Sequence, residues 1–151
     1  MDAQEKLELL DSSLMRAADL LGDITPHVFE RFYQVFPEAL ERFEELSLHQ
    51  RPDLEGQMIE QSLYCLMQWF ESPDTVRIIV VGTLPHHVET LNVSMDSFAG
   101  LMDAICDVIV ATIPADQPGE HAIWAELRAA MHGLFAEGRR FLHVPSLTRA
   151  H

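Results

Sequence analysis

The strongest constraint on this chain is the spacing of its apolar residues, which recur at intervals of three and four rather than two. Between Glu5 and Leu21 they fall at Leu7, Leu10, Leu14, Ala18 and Leu21, the stripe of an amphipathic helix. Gly22 and Asp23 interrupt that stripe, and Thr25 followed by Pro26 carries an N-cap and first-turn signature. The helix so opened presents Phe29, Phe32, Tyr33 and Phe36, and Pro37 ends or kinks it. "ALERFEEL" predicts a short helix and "SLHQRPD" a polar connection. Ile59, Leu63, Leu66 and Phe70 predict a long helix ending before "ESPD". "TVRIIVV" has the β-branched residues of a strand, but a lone strand among helices has no pairing partner, so a short helix is expected. Phe98, Leu101, Met102, Ile105, Ile109 and Ile113 mark another long helix, and "PADQPGE" is a loop. Ile123, Trp124, Leu127, Met131, Leu134 and Phe135 mark the last helix. The expectation is an all-α fold of seven or eight helices in one domain over residues 1–151. Its helical core covers about residues 5–142, with a flexible tail at 143–151.

A length of 151 residues is enough for one hydrophobic core. The formal net charge of −14 repels phosphate backbones and anionic lipid, so neither nucleic acid nor a membrane surface is expected as a partner. Cys65 and Cys106 are too few and too far apart for a disulfide framework or a thiolate metal knuckle. The first residues, "MDAQEKLELLDSS", lack the basic start and apolar run of a signal peptide. Apolar runs such as "IIVVG" fall far short of a membrane span, and a reducing cytoplasmic compartment is expected.

Residues 82–98, "GTLPHHVETLNVSMDSF", place two histidines side by side after a proline. Adjacent helical residues point about 100° apart, so the two cannot both face one metal. His87 shares its helical face with Leu84 and Leu91, whereas His86 shares its face with Gly82 and Thr90. His87 is therefore the candidate ligand and His86 the solvent-facing partner. A ligating imidazole needs an acceptor for its second nitrogen, and the carbonyl or side chain of Thr83, one turn back, is the expected one. Taken alone, a helical histidine is more often structural than a ligand. His27, His49, His121 and His132 form no spacing that suggests a second metal site.

Residues 24–43, "ITPHVFERFYQVFPEALERF", resemble the globin family in the order Ile24, Phe29, Phe32, Tyr33, Pro37 and Phe43. The resemblance runs through about residues 5–142 and is to bacterial single-domain, three-over-three globins, in which a tryptophan like Trp124 also recurs. It implies one non-covalent haem b, with Phe43 packed on the porphyrin and His87 on the iron. An aliphatic residue six positions beyond the ligand and a phenylalanine eleven beyond are Val93 and Phe98 when counted from His87. Counted from His86 they would be Asn92 and Ser97. Leu84, Leu91 and Leu101 would complete that wall. Covalent attachment is not expected, because Cys-x-x-Cys-His is absent.

On the opposite side two registers stay open. One places Glu55 over the iron with Ile59 one turn on; the other places Met58 there with Ser62 one turn on. The Glu55 register is preferred because Ile59 gives the better apolar wall, and an ionised Glu55 would only accept hydrogen bonds. Met58 would offer a thioether able to coordinate weakly and close the site. Gln57 is set aside because Gln61, one turn on, interrupts the apolar face. Phe29 stands where a hydrogen-bonding tyrosine is common and can donate nothing. Bound oxygen would then be poorly stabilised, which favours redox, sensing or nitric-oxide chemistry over storage.

The implied function is reversible binding of a diatomic gas (oxygen, nitric oxide or carbon monoxide), as a binding protein rather than an enzyme. Any dioxygenase-type turnover would need an external reductase. The chain would act as a monomer or homodimer. The competing function is a haem-free globin-like module that binds another protein or a small apolar ligand. Fold does not choose between them; the site does.

Overall fold

The computed structural model describes residues 1–90 and 93–149, with residues 89–90 and 141–149 as backbone only. Among the described residues the chain forms seven α-helices, one π turn and no strand. They are α1 (Ala3–Leu21), α2 (Thr25–Val35), α3 (Pro37–Leu46), α4 (Arg51–Gln68), α5 (Pro73–Pro85), the π turn (His86–Thr90), α6 (Met95–Val110) and α7 (Pro118–Arg149).

Local chemistry sets the boundaries. The Asp2 carboxylate caps α1 by accepting the Glu5 backbone N–H at 2.8 Å. Gly22, at φ 69°, closes α1 in the left-handed region that glycine enters without steric cost. Thr25 is the first residue of α2 rather than its cap; its N–H donates to the Asp23 carboxylate at 3.0 Å. Pro37 does more than end α2. Phe36 sits between two helices, and Pro37 opens α3, where its missing N–H costs nothing. Ser94 caps α6 by accepting the Ser97 N–H at 3.0 Å.

The β-branched segment around Val76 and Val80 is helical, as expected. Val76, Val80 and Leu84 recur every fourth residue and are all buried, so tertiary burial overrides propensity. The C-terminal expectation differs from the structure: α7 continues to Arg149 instead of giving way to a tail near residue 143. No glycine follows Gly138 to end it, and Arg139 and Arg140 are good helix formers.

α7 packs against α1, α5 and α6, and α2 packs on α6 and on the start of α4. Ile123, Trp124, Leu127, Met131 and Phe135 form the buried stripe of α7. One buried charge ties α1 to this stripe's N-terminal end. Glu120, 2% exposed, accepts from Ser13 Oγ at 2.6 Å and takes both guanidinium nitrogens of Arg16, at 2.6 and 2.9 Å. The Arg16 hydrogen bonds hold the Glu120 carboxyl below the usual carboxylate range.

Glu120→Gln should therefore lower stability by about 2 kcal/mol at neutral pH. A carboxylate with a depressed folded pKa contributes fully above its unfolded value and loses that contribution as pH falls through the folded one. The gap between wild type and variant in urea denaturation should hold above about pH 5 and shrink below it. A gap independent of pH would exclude the ion pair as its source.

Candidate functional site

α5 ends at Pro85, which has no N–H to give the helical ladder, and the chain continues as a π turn through Thr90. π turns inside helices cluster at functional sites. Here the wider turn is closed at its far end by the Val93 N–H, which donates to the His87 carbonyl at 2.9 Å. His87 and Val93 thereby line the same cavity. The last carbonyls of a helix lack intrahelical partners. That of Thr83 accepts the His86 N–H and, at 2.9 Å, the imidazole Nδ1–H of His87. A proton donated from Nδ1 leaves Nε2 of the neutral ring with a bare lone pair. His86 is exposed and does not line the cavity.

The cavity measures about 410 Å³, within the range of cofactor and ligand sites. Phe98 packs edge-on against the His87 ring with centroids 5.0 Å apart, and Phe135 packs edge-on against Phe98 at 5.2 Å. Leu101, Met102 and Ser97 continue this wall. Phe43 lines another side, stacked on Phe32 at 6.0 Å. α4 contributes Leu54, Gln57, Met58, Gln61, Ser62 and Cys65, and α5 adds Ile79, Val80 and Thr83. A second hollow of about 290 Å³ shares Phe43, Val93 and Ser97 with the first and adds Glu38, Arg42 and Ser94.

Of the residues singled out in the sequence, His87, Phe43, Met58, Val93, Phe98 and Leu101 meet at this one cavity. Phe29, Ile59 and Leu84 are buried behind its walls rather than in them. Phe29 backs Phe43 edge-on at 6.3 Å. Leu91 lies outside the described residues.

Glu55 does not line the cavity. It is buried, and its Oε2 accepts from the Tyr33 hydroxyl at 2.5 Å and from Arg51 at 2.7 Å. Arg51 also lies over the Tyr33 ring and donates to Glu44 at 2.6 Å. Burial, reinforced by the Glu55 carboxylate, raises the Tyr33 phenol above its ordinary value. This network staples the α3–α4 connection, where Leu48 and His49 both adopt left-handed φ of 54° and 68°. Such residues cost roughly 1–2 kcal/mol each, so the connection needs the staple.

The register of Met58 with Ser62 one turn on brings both residues to the cavity, and Gln57 and Gln61, set aside in the sequence, border it as well. The apolar pattern pointed to the stripe Ile59–Leu63–Leu66–Phe70 as the inward face of α4. In the fold Ile59 and Leu66 face the core, while the stripe of Leu54, Met58, Gln61 and Cys65 faces the cavity. A heptad-like interval from Leu54 to Met58 to Gln61 to Cys65 was the available signal, obscured by the glutamine.

Among the described residues no three His, Cys, Asp or Glu side chains group to hold a metal ion. None of their helices is long and apolar enough to cross a membrane. No protein-family model, no curated protein and no solved structure matches the chain significantly.

Because Glu55 belongs to the network and not to the cavity, Tyr33→Phe should cost about 1 kcal/mol of stability through one lost hydrogen bond. Ligand uptake by the cavity should stay unchanged. Equilibrium unfolding beside a ligand titration separates the two; weakened uptake at unchanged stability would place the phenol in the site.

Proposed function

We propose that this chain is a globin-like haem protein that binds one haem b per chain and presents it to a diatomic gas. The single observation that carries this reading is His87, oriented by the Thr83 carbonyl and lining a largely apolar cavity. One imidazole cannot by itself retain a metal ion. It can retain one whose other in-plane ligands arrive with it, as in a tetrapyrrole. The cavity suits such a plate, with aromatic walls at Phe43 and Phe98 and no carboxylate among its lining residues. When bound, the group would supply the metal centre to which a gas coordinates, with His87 as the residue that would hold it.

The residues have distinct tasks. Thr83 fixes the tautomer of His87 and makes its Nε2 the donor. Phe98 and Phe135 hold the ring edge-on and restrict its rotation. Val93 and Leu101 give the plate an apolar seat, where burial stabilises by roughly 25 cal/mol per Å² of apolar surface. Gln57, Gln61 and Ser62 bring hydrogen-bonding groups to the gas side. They soften the expectation that bound oxygen finds no donor.

The two cysteines are free and buried, which suits a reducing, cytoplasmic compartment. The role is that of a binding protein in gas sensing, redox or nitric-oxide chemistry. Any turnover would draw electrons from an external reductase. A monomer or a homodimer would serve equally.

Titration of the purified chain with haemin should give a saturable one-to-one Soret change. His87→Ala should weaken uptake on the order of tenfold or more, since the loss exceeds that of a supporting residue. His86→Ala should leave it nearly unaltered. A chain that takes up no haem but binds fatty acid would instead be a haem-free apolar-ligand module.

A further inference from the structure

We infer that the α3–α4 connection is a strap at the border of the cavity, and that Leu48 turns inward from it to cover the occupant and slow its loss. The identity of the occupant rests on the haem reading above; the strap adds how the site retains it.

α3 ends at Leu46 and α4 begins at Arg51. Leu46 and Leu54, on either side of the connection, both line the cavity. Leu48 follows Leu46 by two residues, and a chain advances at most about 3.6 Å per residue, so its Cα stands within about 7 Å of a lining residue.

The connection closes α3 with the bonds of a Schellman motif. The Leu48 N–H donates to the Glu45 carbonyl at 3.2 Å, and the His49 N–H to the Glu44 carbonyl at 3.0 Å. That motif places the first residue beyond the cap in the left-handed region, where glycine is usual, and fastens the next one to the helix by an apolar contact. Here Leu48 takes the glycine position at φ 54°, and His49 follows at φ 68° with its ring 3.4 Å from the Glu44 carboxylate. Leu48 is 82% exposed, more than any other large apolar side chain described. A leucine so placed carries backbone strain and gains no burial. One movement removes both costs: rotation of Leu48 to negative φ releases the strain and swings the side chain. Arg51 confines that movement to residues 47–50, because it donates to Glu44 on α3 at 2.6 Å and to Glu55 on α4 at 2.7 Å. An apolar plate against Leu46 and Leu54 gives Leu48 a surface to cover, so binding favours the inward position.

The test loads the full chain with haemin and follows its loss to an excess of a haem-scavenging protein, beside urea unfolding of the chain without haemin. Leu48→Gly removes strain and side chain together. It should leave the unloaded chain no less stable and speed haemin loss by about tenfold, the equivalent of one buried leucine side chain. Leu48→Met keeps an apolar side chain of similar volume and should retain haemin as wild type does. Unchanged haemin loss from Leu48→Gly overturns the strap and leaves the haem reading intact. So does equally fast loss from Leu48→Met, or a less stable unloaded Leu48→Gly chain, since either would make Leu48 a structural residue. So does a crystal structure of the loaded chain with Leu48 still exposed at positive φ. Absence of one-to-one haemin uptake by wild type overturns both readings together.

Discussion

Burial of the α7 stripe is the interaction on which the remaining geometry depends. Ile123, Trp124, Leu127, Met131 and Phe135 are almost wholly withdrawn from water, each large side chain contributing roughly 1.5–3 kcal/mol. Helices α1, α5 and α6 are placed by packing against them. Near the other end of the same helix, Gly138 lets α5 approach closely. A Cβ there would fall 2.0 Å from Leu84 Cδ1, and Leu84 has no exposed surface into which to retreat. His87 lies three residues beyond Leu84. The imidazole is thus positioned by helix packing rather than by a free loop, and Phe135 of α7 steadies it through Phe98.

Polar groups are sorted around the cavity in a way that explains its character. The Glu55 charge is turned toward Arg51 and Tyr33, where it is hydrogen-bonded, instead of toward an apolar chamber where it would stand unpaired. The groups left along the cavity face of α4 are neutral: two amides, a hydroxyl, a thioether and a buried thiol. A chamber with one oriented nitrogen donor and otherwise uncharged walls is suited to a ligand that carries its own metal. It is poorly suited to capturing a bare cation.

The helices were legible because burial in an all-helical fold repeats every three or four residues, and that period is written in the apolar pattern. It even outweighed the strand propensity of the Val76–Val80 segment. The convergence of Phe43, His87, Val93 and Phe98 on one cavity is what the globin resemblance implies for these residues. The π turn could not be read from the sequence, since nothing in "HHVET" marks a turn wider than α. Nor could the fate of Glu55. Its partner Tyr33 lies twenty-two residues away on α2, and only the folded arrangement of α2, α3 and α4 brings them together. Apolar residues alone did not choose between the two registers of α4, because one of its sides faces the core and another the cavity.

The π turn at His86–Thr90 makes the site depend on chain length as well as on chemistry. A π turn accommodates more residues per revolution than an α turn, so His87 stands in a wider coil than its α5 neighbours. Loss of a single residue within it would restore ordinary α geometry. The residues that follow within the turn would then be shifted by about 100° around its axis, although every side chain there was kept. Divergence by substitution and divergence by insertion or deletion are therefore unequal at this corner. The walls should tolerate exchange of one apolar residue for another better than a change in the number of residues in the turn.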